Sequence, residues 1–253
     1  MEWTKPVGRF LPSKTWVDGP MKISERSDHR ISLIIPCFNG GRYIQEALDS
    51  VLGQSLVPSD ILVVDDGSTD DSVRIIERYA PQVRLVRQSN RGDSYARNVA
   101  LARTTSPLVA FLDADDIWPS GSLERRFEAL IASPGHDYVY GLMEQFVSPE
   151  LASRLTVPAS TLAGGIARVL GGSLFRRSIF DDVGGFNPDI RIGYVIEWIN
   201  KVEAAGYKAL AMPDLVLRRR IHDSNSVHDE QRLKKDYLQV IRSSLAHRRS
   251  IAP

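Results

Sequence analysis

The sequence predicts an α/β fold: a single αβα sandwich with a mostly parallel central sheet covered by helices on both faces. Apolar runs at residues 31–35, 61–64 and 108–112 are each followed by a helical pattern. Strands that alternate with helices in this way are typical of a parallel sheet. Each run also ends in polar residues, and such sheets bind ligands beyond the carboxyl ends of their strands. We therefore expect a ligand site at one edge of the sheet.

The first half of the chain supplies most of these elements. The strand at residues 31–35 stops at Pro36, and a helical pattern follows it. The second strand, at residues 61–64, leads into a helix that we expect to be capped by Ser68 or Thr69. Two further strands are predicted at residues 83–86 and 108–112, and two further helices at residues 93–102 and 123–131.

The second half is less regular and predicts a smaller mixed sheet. Its strands are predicted at residues 138–146, 208–212 and 215–221. A strand and a short turn are predicted at 171–180, and a loop over 148–165. The pattern of residues 194–205 predicts an amphipathic helix with Ile196, Ile199 and Val202 facing inward. We predict an irregular arm at residues 1–29, one domain at residues 30–228 and a C-terminal helix at residues 229–253. The domain has a nucleotide-binding half at residues 30–118 and an acceptor half at residues 119–228.

The composition is that of an ordinary globular protein, with 253 residues, 43% hydrophobic residues and a formal net charge of +1. This charge argues against a nucleic-acid partner held by a broad basic field. The single cysteine, Cys37, excludes an internal disulfide and a zinc site built on cysteines. Because we see no apolar run of transmembrane length and no signal peptide, we expect a cytoplasmic protein. The basic C-terminal stretch predicts a solvated helix, with peripheral membrane contact as the alternative.

The most informative stretch is residues 109–118, where an apolar run ends in Asp113, Asp115 and Asp116. Carboxylates brought this close repel one another unless a positive charge lies between them. Their hard oxygen ligands suit a divalent cation such as Mn²⁺ or Mg²⁺. Aspartates after strands also act as caps in turns, so the motif alone leaves both interpretations open.

Several other nucleotide and catalytic motifs are absent from the sequence. It has no Gly-x-Gly-x-x-Gly after the first strand, no Gly-x-x-x-x-Gly-Lys phosphate loop, no Gly-x-Ser-x-Gly elbow and no His-Glu-x-x-His helix. The candidate that remains is an αβα nucleotide-binding domain that binds a diphosphate through a metal ion.

Four motifs in a fixed order carry a family resemblance: Ser32-Leu-Ile-Ile-Pro-Cys-Phe-Asn39, Val64-Asp-Asp-Gly-Ser-Thr-Asp70, Asn90-Arg-Gly-Asp-Ser-Tyr-Ala-Arg-Asn98 and Phe111-Leu-Asp-Ala-Asp-Asp-Ile-Trp118. Shorter matches follow at Gly184-Gly-Phe-Asn187, Ala205-Gly-Tyr-Lys208 and Arg220-Ile-His222. The chain resembles the family 2 glycosyltransferases, which have the GT-A fold, over roughly residues 31–228. The resemblance implies a hexosyltransferase-type enzyme (EC 2.4) that uses a nucleotide-diphosphate sugar, with the smaller mixed sheet on the acceptor side.

The resemblance implies a set of residues that bind the donor. Asp66, with Asp65 as the alternative, would accept a hydrogen bond from the nucleotide base. Other donor contacts are implied for Pro36, Phe38, Asn39, Asn90, Arg97, Asp113, Ala114 and Arg220. A helix cap in an Asp-Gly turn explains residues 65–68 equally well, and an ordinary surface position would explain Arg97.

The resemblance also implies a metal site. Asp115 would bind the ion directly, while Asp113 would reach the ribose or share the ion. We expect Asp116 to cap the following turn. Arg220 and His222 would close over the diphosphate, and His222 is either a further metal ligand or a structural histidine.

The base that such a transferase needs is not where the resemblance places it. The family inverts the anomeric carbon and takes the acceptor's proton with the aspartate of a Glu-Asp pair at the start of the helix after Gly-Gly-Phe. Alignment on Trp198 puts Gly193 and Tyr194 there instead. Glu197, one turn later on nearly the same helix face, is our predicted base, with Asp189 second. Alternatively, Glu197 is the partner of a nearby arginine.

Two other functions compete with a transferase. The missing Glu-Asp pair favours a catalytically inactive relative that binds nucleotide sugar as a recognition module, whereas the intact Asp-x-Asp motif favours an enzyme. A nucleotidyltransferase is disfavoured, because the first strand is followed by Asn39-Gly40-Gly41-Arg42 and not by a lysine-containing glycine-rich loop. No pattern names the acceptor, so a small molecule, a lipid-linked sugar and a peptide all stay open.

Overall fold

The computed structural model describes residues 30–152, 165–166 and 168–223. The predicted N-terminal arm at residues 1–29, most of the predicted loop at 148–165 and the predicted C-terminal helix at 229–253 lie outside the described residues. Among the described helices, none combines the length and the apolar character needed to cross a membrane.

The first half of the chain forms the parallel part of the sheet. Its elements are β1 (Ile31–Cys37), α1 (Ile44–Leu52), β2 (Asp60–Asp65), α2 (Ser72–Glu77), β3 (Val83–Arg87), α3 (Asp93–Leu101), β4 (Leu108–Phe111) and α4 (Ser122–Ile131). The four strands lie in the order β3-β2-β1-β4, and every neighbouring pair is parallel. All residues of β1 are buried, as expected for a strand covered on both faces. The predicted α/β fold is confirmed.

The second half extends the same sheet with mixed strands. Its elements are β5 (Tyr138–Val147), α5 (Pro149–Ala152), β6 (Gly165–Ile166), β7 (Ser173–Arg176), α6 (Ser178–Val183), α7 (Tyr194–Ala204) and β8 (Ala209–Ile221). β7 is antiparallel to both β4 and β5, whereas β8 is parallel to β5. The mixed strands predicted on the acceptor side are therefore continuous with the parallel strands, in one eight-stranded sheet.

Two local predictions were wrong. The strands predicted at residues 208–212 and 215–221 are one strand, β8, whose pairing with β5 is irregular opposite Gly141. α2 begins at Ser72, after the predicted caps, because Ser68 and Thr69 bond to Asn39 in the neighbouring loop. In both places, contacts with another element outweigh the local pattern.

Two apolar cores lie on opposite faces of the sheet. Leu33 belongs to the core under α1 and α4, while Ile34 belongs to the core under α3 and α7. In the second core, the ring of Trp198 stacks on Phe180 with 4.6 Å between centroids. Burial of this aromatic side chain rotates α7, so that Ile196, predicted to face inward, is 48% exposed. Ile199 and Val202 are buried as predicted.

A side-chain clamp fixes the segment before α7 against α3. The amide of Asn98 donates to the carbonyl oxygen of Phe186 at 2.6 Å and accepts from its backbone N–H at 2.8 Å. A Cβ atom on Gly185 would lie only 2.3 Å from Asn98 Oδ1, so a glycine is needed there. This clamp brings the start of α7 to the edge of the sheet where β1, β2 and β4 end.

Candidate active site

Three strand-end loops meet at the carboxyl edge of the parallel strands, as predicted. The backbone N–H of Asn39, after β1, donates to Ser68 Oγ after β2 at 2.9 Å. Thr69 N–H donates back to Asn39 Oδ1 at 2.8 Å. The loop after β4 approaches the first loop closely, because a Cβ atom on Gly40 would lie 3.3 Å from the Cβ of Ala114. These contacts form the floor of the candidate site.

The two aspartates at the end of β2, Asp65 and Asp66, are buried and accept hydrogen bonds from the protein itself. Asp66 accepts hydrogen bonds from Gln88 Nε2 at 2.7 Å, Arg91 N–H at 2.9 Å and Gly92 N–H at 2.7 Å. Asp65 Oδ1 accepts one from Ser68 N–H at 3.3 Å. A carboxylate offers about four acceptor positions, so Asp66 keeps little capacity for a nucleotide base. Its contact with the base stays a prediction.

The other residues predicted to bind the nucleotide half of the donor line this floor. Pro36 is buried at the end of β1, while the ring of Phe38 is 53% exposed. Asn39 and Asn90 are exposed. The exposed ring of Phe38 and the side chain of Asn90 are accessible to a ligand, while Asn39 Oδ1 already accepts a hydrogen bond from Thr69.

The acidic cluster follows β4. One carboxylate oxygen from each of Asp113, Asp115 and Asp116 lies within 4.8 Å of the others. Burial and the negative charges of its neighbours raise the pKa of Asp113 and of Asp116, although the guanidinium of Arg97 partly offsets this at Asp113. Asp116 does not cap the following turn as predicted, because its Oδ1 accepts the backbone N–H of Arg220 at 2.9 Å. Three carboxylates this close repel one another, and a cation bound between them would relieve that repulsion.

β8 brings the predicted Arg-x-His pair to this cluster. His222 Nε2 lies 2.8 Å from Asp115 Oδ2, and its ring packs on Tyr43. Arg220 is buried; its Nε donates to the carbonyl oxygen of Asp115 at 3.0 Å and its Nη2 to Glu46 Oε2 at 2.6 Å. Arg220 thus braces the acidic loop, and a phosphate would compete with Glu46 for its guanidinium.

Arg97 links the acidic cluster to α7. Its buried guanidinium donates to Asp93, to Asp113 and to the hydroxyl of Tyr194. Burial by itself would lower the pKa of Arg97, but the charges of Asp93 and Asp113 raise it, so the group stays a cation. Burial beside Asp93 raises the pKa of Tyr194, which keeps its hydroxyl protonated and able to donate.

The two predicted bases lie in different surroundings. Glu197 is 2% exposed, and its Oε1 lies 2.7 Å from Lys201 Nζ one turn along α7. The alternative prediction named an arginine as the partner of Glu197, whereas the structure pairs Glu197 with Lys201. Asp189 is exposed in the turn before α7. Neither observation tests catalysis, and both residues stay predictions as bases.

Sequence reasoning missed several residues of the site. Asp93 could have been found from its position four residues before Arg97, the spacing of an ion pair on one helix face. The positive charge of Arg219 lowers the pKa of both Asp113 and Asp116, which places Arg219 near the acidic cluster. Glu46 on α1 pairs with Arg220 on β8, 174 positions away, and had no local signal in the sequence.

Comparisons with known proteins agree with this architecture. The family described as glycosyl transferase family 2 matches residues 32–184. An uncharacterized glycosyltransferase of Nostoc sp. is 40% identical over 108 residues, which are 41% of this chain and 34% of that protein. The Escherichia coli enzyme WfgD, named as a UDP-Glc:α-D-GlcNAc-diphosphoundecaprenol β-1,3-glucosyltransferase, is 29% identical over 133 residues, 52% of each chain. The aligned parts thus span about a third to a half of these relatives.

Solved structures share the fold. TarS from S. aureus in complex with UDP-GlcNAc superposes with a TM-score of 0.67 at 20% identity, over 86% of this chain and 66% of that one. The mannosyltransferase PcManGT from Pyrobaculum calidifontis, in complex with GDP-Man and Mn²⁺, gives 0.64 at 25% identity, over 86% and 64%.

Proposed function

The chain belongs to glycosyl transferase family 2, and on that premise we propose that it transfers a hexose from a nucleotide-diphosphate donor to an acceptor, with inversion at the anomeric carbon. One observation carries the proposal: the loops after β1, β2 and β4 meet around Asp113, Asp115 and Asp116. This is the edge at which a parallel sheet binds its ligand.

We propose that a divalent cation, Mn²⁺ or Mg²⁺, is held by Asp115 and Asp113, with His222 as a further ligand. The clustered oxygens are the hard donors that these ions prefer. When bound, such an ion offsets the negative charge that builds on the leaving nucleoside diphosphate. Arg97 orients Asp113 through a direct hydrogen bond, and Arg220 orients Asp115 through its carbonyl oxygen.

The relatives suggest which donors to test first. The names of WfgD and of the TarS complex include UDP-glucose and UDP-GlcNAc, and that of the PcManGT complex includes GDP-mannose. For this chain we propose a UDP- or GDP-hexose, with the exposed ring of Phe38 available to stack on the base. The acceptor would be a small molecule, a lipid-linked sugar as in the name of WfgD, or a peptide.

Release of nucleoside diphosphate tests this function without a known acceptor. The protein would be incubated with UDP-glucose, UDP-GlcNAc or GDP-mannose and Mn²⁺, with and without EDTA. We expect slow hydrolysis of one donor, which EDTA abolishes. Asp115→Asn should lose this hydrolysis. Asp60→Asn is the matched control, because the Asp60 side chain is also partly buried and paired with a basic residue but lies at the opposite end of β2. Hydrolysis that is equally fast in EDTA would contradict the metal site.

A second candidate is an inactive nucleotide-sugar-binding module. It is favoured by the start of α7, where Gly193 and Tyr194 supply no carboxylate. This candidate predicts that the same nucleotides bind with the same metal dependence but that no diphosphate is released. Binding and release, measured on one sample, separate the two functions.

A further inference from the structure

The cluster around Arg97 contains a carboxylate that is placed to act as the missing base. We propose that Asp93 takes the proton from the acceptor hydroxyl; this inference rests on the transferase activity proposed above. The assignment follows from the contacts of Asp93, from its exposure and from the surroundings of the two acids predicted from the sequence.

Asp93 occupies the space in front of the first turn of α7. It is the first residue of α3, and its Oδ2 accepts hydrogen bonds from the hydroxyl of Tyr194 and from Arg97 Nη1. Tyr194 is the first residue of α7, where the resemblance expects a carboxylate. The hydrogen bond from the Tyr194 hydroxyl to Asp93 links the two helices here. It gives the first turn of α7 a carboxylate partner from α3, in a place where α7 has no carboxylate of its own.

Asp93 is also close to the donor site and open to solvent. Arg97 bonds to Asp93 with one nitrogen and to Asp113 with the other, so a single guanidinium separates Asp93 from the acidic cluster. The side chain of Asp93 is 46% exposed, whereas that of Arg97 is buried. An acceptor bound beside the donor site can therefore reach the carboxylate from solvent.

Glu197 and Asp189, the two bases predicted from the sequence, each lack either exposure to solvent or a link to the donor site. Glu197 is buried, and its carboxylate is already paired with Lys201. Asp189 is exposed, but among the described residues no hydrogen bond or ion pair links its side chain to Arg97 or to the acidic cluster. Asp93 combines exposure with a direct link to the site.

The chemical step balances with these groups. As the acceptor oxygen attacks the anomeric carbon, its O–H proton moves to a carboxylate oxygen of Asp93. The bond from the anomeric carbon to the phosphate oxygen breaks, and its electron pair leaves with the nucleoside diphosphate. Asp93 then returns the proton to solvent.

An acid in the first turn of a helix also has a simpler role, because it interacts favourably with the helix dipole and with a cation one turn on. The test must therefore distinguish a lost base from a lost structural contact. Azide does so, since the anion attacks the anomeric carbon without a proton to lose and gives a glycosyl azide. Azide restores transfer only where the defect is in proton removal.

The experiment compares Asp93→Asn, Asp93→Glu, Glu197→Gln and wild type, with Mn²⁺ and the donor that wild type hydrolyses. Asp71→Asn is the matched control, because Asp71 also lies at the start of a helix and pairs with an arginine one turn later, Arg74. Donor hydrolysis, glycosyl azide formation and thermal stabilisation by the nucleotide are measured for each variant.

We expect Asp93→Asn to lose about 100-fold or more in hydrolysis, as is typical when a general base is removed. It should keep nucleotide stabilisation and form glycosyl azide at close to the wild-type rate, while Asp93→Glu keeps part of the hydrolysis. The proposal is overturned if Asp93→Asn hydrolyses the donor at the wild-type rate, or if azide does not restore sugar transfer by this variant. It is also overturned if Glu197→Gln is the variant that loses hydrolysis and regains transfer with azide. If wild type neither binds nor hydrolyses any donor, the transferase function itself fails, and this inference with it.

Discussion

Arg97 is the residue on which the arrangement of the acids depends. It is a buried cation whose guanidinium bonds to two carboxylates on separate elements and to a tyrosine on a third. Removing its charge would leave Asp93 and Asp113 to repel each other, and would leave the hydroxyl of Tyr194 without one of its two partners. We propose that Arg97 holds Asp93 and Asp113 in position as well as stabilising the fold.

Replacement of Arg97 by methionine tests this structural role. We expect a loss of about 1.5–3 kcal/mol, the range for hydrogen bonds to charged groups. The larger cost of leaving a buried charge without a partner does not apply, because the side chains of Asp93 and Asp113 are each about half exposed and can be hydrated. Urea unfolding measures the change, with Arg103→Met, an exposed arginine near the end of the same helix, as control. Equal losses in the two variants would refute the role of Arg97.

The acidic cluster predicts a pH dependence of metal binding. Burial and mutual repulsion raise the pKa of Asp113 and of Asp116 above that of an ordinary aspartate, so both take up protons at a higher pH than usual. A protonated carboxyl is a poor metal ligand. The affinity for Mn²⁺ should therefore fall steadily as the pH is lowered from about 8 towards 5. Calorimetric titration checks this, and an affinity that is constant or rises on acidification would contradict it.

At the scale of elements, hydrophobic patterns in the sequence predicted the strands and helices whose positions depend on local interactions. The strands β1, β2 and β4 and the acids after β4 follow from apolar runs and polar ends, and the structure confirms where they lie. The orientation of α7 was not predictable in this way. Its rotation is set by the fit of Trp198 against Phe180 on α6 and Phe186 in the segment between the two helices, a packing contact that the helical periodicity of α7 does not contain. That rotation leaves Ile196 exposed.

The same limit applies to the site. The sequence motifs identified Asp113, Asp115 and His222, which do lie together. They could not identify Asp93 as a neighbour of Tyr194, because the two residues are 101 positions apart and meet only through the packing of α3 against α7. Long-range contacts of this kind have no periodic signal in a single sequence.

The clamp between α3 and the segment before α7 gives an element-scale prediction. In Gly185→Ala the new methyl would lie 2.3 Å from Asn98 Oδ1, which cannot move without losing its bonds to Phe186. We expect a loss of about 1–3 kcal/mol in unfolding free energy, as for other overpacked sites. Gly135→Ala, where no atom lies within 4 Å of the added methyl, should change stability by about 0.5 kcal/mol or less. Similar losses in both variants would rule out the clamp.

At the scale of the molecule, the candidate site is shared by both halves of the domain. The first half supplies the floor through the loops after β1, β2 and β4. The second half supplies Arg220 on β8, His222 directly after β8 and Tyr194 on α7. The single continuous sheet holds these groups in one frame. A nucleotide bound on the floor would therefore be contacted by residues from both halves, which explains why its binding should stabilise the whole fold.

The most direct test of this account is a thermal-shift measurement with UDP or GDP, with and without Mn²⁺, on wild type, Asp115→Asn and the control Asp60→Asn. A nucleotide at 100 times its dissociation constant should add about 2.7 kcal/mol of stability. The account predicts that one nucleotide stabilises wild type and Asp60→Asn only when Mn²⁺ is present, and that Asp115→Asn loses this stabilisation. Stabilisation that needs no metal, or that survives in Asp115→Asn, would contradict the proposed metal-diphosphate site.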